Sequence, residues 1–224
     1  GAVSNALNMP SVTAEEAKVM GPWLKLSGHL GGFIGQMTDE PIKAINILYD
    51  GSVSDMNLEA LNCAVIAGIM KRSNPDVNLV SAPFIAKERG IQISTTNQDK
   101  SGAFDGYIKV TVVTEARERS IAGTVFSDGK PRFIQIKGIN IDAEIGAHML
   151  YTTNKDVPGV IGTLGQIMGS NGVNIANFTL GRAQEGGEAI ALLYADHPLQ
   201  QKVLDDLAAT GVFQQIKPLE FHVN

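Results

Sequence analysis

The stretch Asp156 to Arg182, DVPGVIGTLGQIMGSNGVNIANFTLGR, decides the fold. Pro158 sits where a first-turn helix proline belongs, since its missing N–H is one that a helix start leaves unused. Ile161, Leu164, Ile167 and Met168 then fall three or four apart on one helical face, and Asn171-Gly172 terminates it. Val173 to Leu180 reads as a strand. Working outward, His148 to Thr153 is a strand ahead of the helix, and Glu188 to Ala195 follows across the turn Gln184-Glu185-Gly186-Gly187. Pro198 opens a second helix through Leu199, Val203, Leu204 and Leu207, stopped by Gly211, and Phe213 to Val223 gives a last strand. The order is β-α-β-β-α-β, the split ferredoxin-like arrangement, with two helices covering one face of a four-stranded antiparallel sheet.

Upstream the reading is also α+β, with a largely antiparallel sheet. Thr13-Ala14-Glu15-Glu16 has capping-box spacing. Pro22 is expected to break or restart that helix. Beyond it Trp23, Leu26, Leu30, Phe33, Ile34 and Met37 form a buried stripe closed by Asp39-Glu40-Pro41. Ile42 to Tyr49 is a strand running into Asp50-Gly51. Leu58, Leu61, Val65, Ile66 and Ile69 restore the helical period until Asn74-Pro75. Val77 to Val80 is expected as a short strand and Ala82 to Arg89 as a short helix closed by Gly90. Four strands follow, Ile91–Thr96, Tyr107–Thr114, Ser120–Phe126 and Arg132–Ile136. Ser127-Asp128-Gly129-Lys130 joins the last two as a hairpin. The domain expectation is a leading segment at 1–12, a first domain at 13–145 and the ferredoxin-like domain at 146–224.

Composition narrows the function classes. Of the 224 residues, 44% are hydrophobic and 18% charged, which suits a folded core, and the formal net charge of -5 carries no basic block for nucleic acid. The apolar run Cys63 to Met70 is too short for a membrane span. The start Gly1-Ala2-Val3, without Met or a signal pattern, fits a piece of a longer protein. One cysteine makes no internal disulfide, so the expected location is cytoplasmic.

No catalytic set is visible. No two glycines are separated by one residue, so the dinucleotide fingerprint GxGxxG is absent. Gly28-His29-Leu30-Gly31-Gly32 lies inside a helical stripe and reads as helix packing. His29, His148, His197 and His222 have no metal-type spacing, and Cys63 reads as a small core residue. No catalytic or metal residue is assigned.

A small ligand has a better claim at Asn154-Lys155-Asp156-Val157-Pro158-Gly159 and at Gly172-Val173-Asn174-Ile175. Free N–H groups on Val160 and Ile161 at a helix start favour a carboxylate. Asp156 suits an ammonium group, and Asn174 offers both donor and acceptor. Those are the needs of a free α-amino acid. The structural alternative has Asp156 capping the helix, Pro158 starting it and Asn174 making a turn.

The segment Asp156 to Arg182 resembles the ACT domain, a regulatory amino-acid-binding module. Asn5-Ala6-Leu7-Asn8-Met9-Pro10, Gly21-Pro22-Trp23-Leu24, Asp76 to Pro83 and Ile134-Gln135-Ile136 resemble the long-form bacterial D-3-phosphoglycerate dehydrogenase family. That resemblance implies an intervening (allosteric substrate-binding) domain followed by an ACT domain. The parent would be an NAD-dependent enzyme oxidising 3-phosphoglycerate in the first step of L-serine biosynthesis, with NAD bound outside this chain. It also implies a homo-dimer or homo-tetramer through ACT domains, and feedback by L-serine at Asn154, Asp156 and Asn174. A candidate anion site comprises Arg132 and Lys137, although Ile139, Glu144 and Tyr194 stand where the family would place arginines. Two alternatives are a ligand-free structural dimerisation module and the β-portion of an L-serine dehydratase.

Overall fold

The computed structural model describes residues 13–100 and 102–224. The expected leading segment at 1–12 lies outside the described residues. The chain divides into two compact units. One holds the described residues through Arg119 together with Gly123–Pro131, the other Ser120–Ala122 and Arg132–Asn224.

The first unit runs α1 (Ala14–Met37), β1 (Ile42–Gly51), a 3-10 turn (Ser52–Asp55), α2 (Leu58–Met70), α3 (Ala82–Glu88), β2 (Gln92–Gln98), β3 (Gly106–Thr114) and β4 (Glu118–Val125). Its strands lie in the order β2-β1-β3-β4, with β1 parallel to β2 and antiparallel to β3. Thr13 and Glu16 close the capping box: Thr13 N donates to Glu16 Oε2 at 2.8 Å, and Glu16 N donates to Thr13 Oγ1 at 3.3 Å. The helix does not break at Pro22, contrary to expectation, and α1 continues through it. Pro22 strips the Lys18 carbonyl of its helical donor, but Lys18 is exposed, so that oxygen is open to solvent, while the burial of Trp23, Leu26 and Leu30 holds the helix together past the proline.

Glycines let α1 and α2 approach backbone to backbone. A Cβ on Gly31 would meet the Val65 carbonyl oxygen, and one on Gly35 would stand 2.8 Å from Ile69 Cα. The glycine-rich run is therefore a packing surface. Tyr49, fully buried on β1, donates to Asn62 Oδ1 of α2 at 2.7 Å, and Asn62 Nδ2 donates to Thr95 Oγ1 of β2 at 2.9 Å. Val77 to Val80 is not a strand. The Asn78 side chain accepts from the N–H groups of Val80 and Ser81, both at 2.9 Å, so a local turn wins over extension.

The second unit begins with β5 (Pro131–Ile136) and β6 (Ile139–Glu144), an antiparallel hairpin whose second strand the sequence reading missed. Lys137 and Gly138 form its corner with φ of 53° and 76°, the positive pair a tight hairpin turn needs. Then come β7 (His148–Lys155), α4 (Val160–Ser170), β8 (Ile175–Arg182), β9 (Glu188–Ala195), α5 (Gln201–Ala209) and β10 (Phe213–Glu220). The sheet order β10-β7-β9-β8, antiparallel throughout, is the expected ferredoxin-like βαββαβ arrangement. Leu164 and Met168 from α4 and Val203 and Leu207 from α5 pack on Leu150, Ala191 and Leu193 of the sheet. On the hairpin side β6 packs against β8, where Thr179 Oγ1 donates to the Asp142 carbonyl at 2.7 Å.

Candidate effector site

Strand β7 is central, with β10 and β9 on its flanks, so nearly all of it is buried. Its period of two puts Leu150, Thr152 and Asn154 on the helix side. Asn154 is 3% exposed, between Phe213 of β10 and Ala189 of β9. Its Nδ2 donates to the Lys155 carbonyl at 2.7 Å, but its Oδ1 is buried without a hydrogen bond, as is the Thr152 hydroxyl. A buried polar atom left unpaired costs free energy, ~1–3 kcal/mol, and such atoms mark strained or functional positions.

The chain then leaves the sheet. The Asp156 backbone N–H donates to the Gly187 carbonyl at 2.8 Å, tying this turn to the β8–β9 turn. The Asp156 Oδ2 accepts from Arg182 Nη1 at 2.9 Å and from the Gly186 N–H at 3.2 Å. The Arg182 guanidinium, helped by that N–H, holds the carboxyl below its ordinary range. Asp156 is thus not the helix cap. The N-cap is Gly159, at φ 93°, a left-handed conformation that favours glycine. Having no side chain, it leaves the first-turn N–H groups of Val160 and Ile161 uncapped. Pro158 precedes the cap and does not occupy the first turn, because the left-handed Gly159 delays the helix by a residue. Val160 is buried, while Ile161 and Val157 are 52% and 47% exposed.

Asn174 stands elsewhere. It precedes Ile175, which pairs with Ala195, and Ala195 pairs with His148 at the start of β7, whereas Asn154 lies at the other end. Six strand steps make the separation about 20 Å along the sheet. Its Nδ2 donates to Asp196 Oδ2 at 2.7 Å. One chain therefore joins Asn154, Asp156, Val160 and Ile161, and leaves Asn174 apart.

Arg132 and Lys137 occupy opposite ends of β5. Arg132 Nη1 lies 3.3 Å from Glu144 Oε1 and 3.7 Å from Asp142 Oδ1, and Tyr194 donates to Glu144 at 3.1 Å. Lys137 Nζ contacts Glu188 Oε1 at 2.6 Å. Both cations already face carboxylates. Arg182, Gly186 and Asp196 escaped the sequence reading, because their roles depend on which strands pair. The hairpin turn at Gly186-Gly187 was the available signal, since it brings Arg182 back beside Ala189. Burial pushes the Cys63 thiol pKa up, in keeping with a packing residue. Among the described residues no helix is long and apolar enough to cross a membrane.

Residues 19–137 match the D-3-phosphoglycerate dehydrogenase intervening domain model. The chain belongs to that family. Relatives named D-3-phosphoglycerate dehydrogenase align over nearly all of it. The Bacillus subtilis protein is 32% identical over 97% of this chain and 42% of its own length. The Synechocystis protein is 31% identical over 91% and 37%, and the Methanocaldococcus jannaschii protein 28% over 91% and 38%. The chain thus spans about two-fifths of the length of these D-3-phosphoglycerate dehydrogenases.

Proposed function

We propose that this chain is the regulatory and oligomerising portion of a D-3-phosphoglycerate dehydrogenase, and that its ferredoxin-like unit is an ACT domain binding L-serine between two copies. The family match over residues 19–137 lies within the 13–145 read as the intervening domain, and the βαββαβ order supports reading 146–224 as an ACT domain. The parent enzyme would oxidise 3-phosphoglycerate with NAD, opening L-serine biosynthesis. NAD would bind outside this chain, which has no GxGxxG turn to approach a pyrophosphate.

The observation that carries the effector reading is one end of β7. There an orphaned Asn154 Oδ1, the Asp156 carboxylate and an uncapped helix start come together. The ligand carboxylate would take the Val160 and Ile161 N–H groups. Its ammonium would meet Asp156 through Oδ1, since both existing bonds fall on Oδ2. The distant Asn174 fits a shared site. Strand β8 is a sheet edge, and antiparallel pairing of two β8 edges about a two-fold axis brings Asn174 of one copy to the Arg182 end of the other. Leu180, 41% exposed on that edge, and Ile161 supply apolar area for the contact. Serine bridging two copies would favour one subunit arrangement, and its differential affinity sets the strength of feedback.

Isothermal titration with L-serine, against D-serine and glycine, tests this reading. Stereospecific heat is expected, and Asp156→Ala or Asn174→Ala alone should abolish it. A mixture of Asn154→Ala and Asn174→Ala chains regains binding at one intact site per mixed dimer. A second reading, a ligand-free assembly module, is favoured by the partners Asp156 and Asn174 already hold. Absence of heat at millimolar serine would establish that alternative.

A further inference from the structure

The first unit contains an open cleft of about 630 Å³ where the C-terminal ends of α1 and α2 meet the start of β2. Its floor is apolar: Met70 is 2% and Ile91 8% exposed, with Ile42 and Ile69 beside them. Two arginines stand in its wall. Arg89 Nη1 donates to Ser73 Oγ at 2.9 Å, and Arg72 Nη1 donates to Asp39 Oδ1 at 2.7 Å and to the Gln36 carbonyl at 3.0 Å. Each guanidinium thus spends Nη1 alone and keeps Nε and Nη2 for another acceptor. The wall's two carboxylates do not cancel this. Asp39 is matched by Arg72, and Glu40 by Arg117 at 3.4 Å and Arg119 at 3.1 Å. Arg117 and Arg119 satisfy Glu40 from outside the lining and Arg72 is spent on Asp39. Among the described residues Arg89 is therefore the lining cation with no carboxylate within salt-bridge distance, and it stands over an apolar floor. The Gln36 carbonyl at the end of α1, which would repel an anion, is already covered by Arg72.

We propose that this cleft binds a small carboxylate with a short apolar body. The planar guanidinium fork matches a carboxylate's two oxygens, and Arg89, anchored through Ser73, presents it. The apolar body covers Ile69, Met70 and Ile91. The volume lies within the range of small-molecule pockets, about 300–1,000 Å³. This site is separate from the β7–α4 turn and takes no residue from it.

Nuclear magnetic resonance titration of the chain with butyrate tests the proposal, with butyramide as the isosteric uncharged control and inorganic phosphate as the control without an apolar body. Saturable shifts are expected at the Ser73 and Ile91 amides and at Arg89 Nε, with butyramide inert and phosphate weaker. Arg89→Gln should weaken butyrate by about 10-fold, the loss of one charge-assisted pair. Arg89→Lys, which keeps the charge but not the fork, should fall between. Asp156→Ala should leave the titration unchanged, which separates this cleft from the serine site. Equal response to butyramide, phosphate binding as tightly as butyrate, an Arg89→Gln chain that binds normally, or no saturable shift would each overturn it.

Discussion

Asp156 and Arg182 are 26 positions apart in sequence and 2.9 Å apart in space, and their pairing has a measurable acid signature. The folded Asp156 carboxyl titrates below its ordinary value, chiefly through Arg182. Its stabilising contribution is therefore present above the ordinary carboxylate range and lost as pH falls through the folded value. Arg182→Gln should move the Asp156 titration upward in carbon-13 spectra and flatten the loss of stability in acid. Asn154 makes the opposite kind of prediction. Its buried Oδ1 has no partner, so Asn154→Val removes an unsatisfied acceptor at the cost of one short-range bond to Lys155. The midpoint of thermal unfolding should rise, by ~1 kcal/mol of stability, while any serine heat disappears. Residue types in the candidate site were legible because a strand-to-helix turn and a helix start are local. Arg182 was not, because it reaches Asp156 only through the register of the β8–β9 hairpin.

At the scale of elements, glycine has two meanings that substitution separates. Gly35→Ala drives a methyl group against the Ile69 backbone, which cannot step aside as a side chain would. A loss of ~1–3 kcal/mol, or more, is expected in urea denaturation. Gly165→Ala on α4 meets nothing within 4 Å and sits on the exposed face of the helix, so stability should rise by ~0.5–1 kcal/mol. Helices with a long apolar stripe, α1 and α2 above all, were readable from period alone. Three readings failed for local reasons. Pro22 sits on a solvated turn that tolerates a lost bond, and Asn78 substitutes its own side chain for a strand partner. The β6 strand hid behind the corner at Lys137-Gly138, whose lysine does not announce a positive φ.

For the whole molecule, the βαββαβ order was legible because each helix and strand carries its own punctuation, whereas association between copies was not. The exposed apolar residues Val157, Ile161 and Leu180 give that association a test. If β8 edges join two copies, Leu180→Lys should shift sedimentation toward monomer and lower serine affinity together, since half of each site then departs. The first sheet holds a different consequence, one of timing. Strand β1 lies between two neighbours that are both distant in sequence. Its parallel partner β2 arrives only after a crossover of about forty residues carrying α2 and α3, and its antiparallel partner β3 arrives later still, after β2. Closing so long a loop is slow. During refolding, β1 therefore waits with both edges bare until the Tyr49–Asn62–Thr95 chain of hydrogen bonds can fasten β2 down and β3 can follow. Pulse-labelled exchange should find the β1, β2 and β3 amides protected after those of α1 and α2, and the chain most prone to aggregate in that interval.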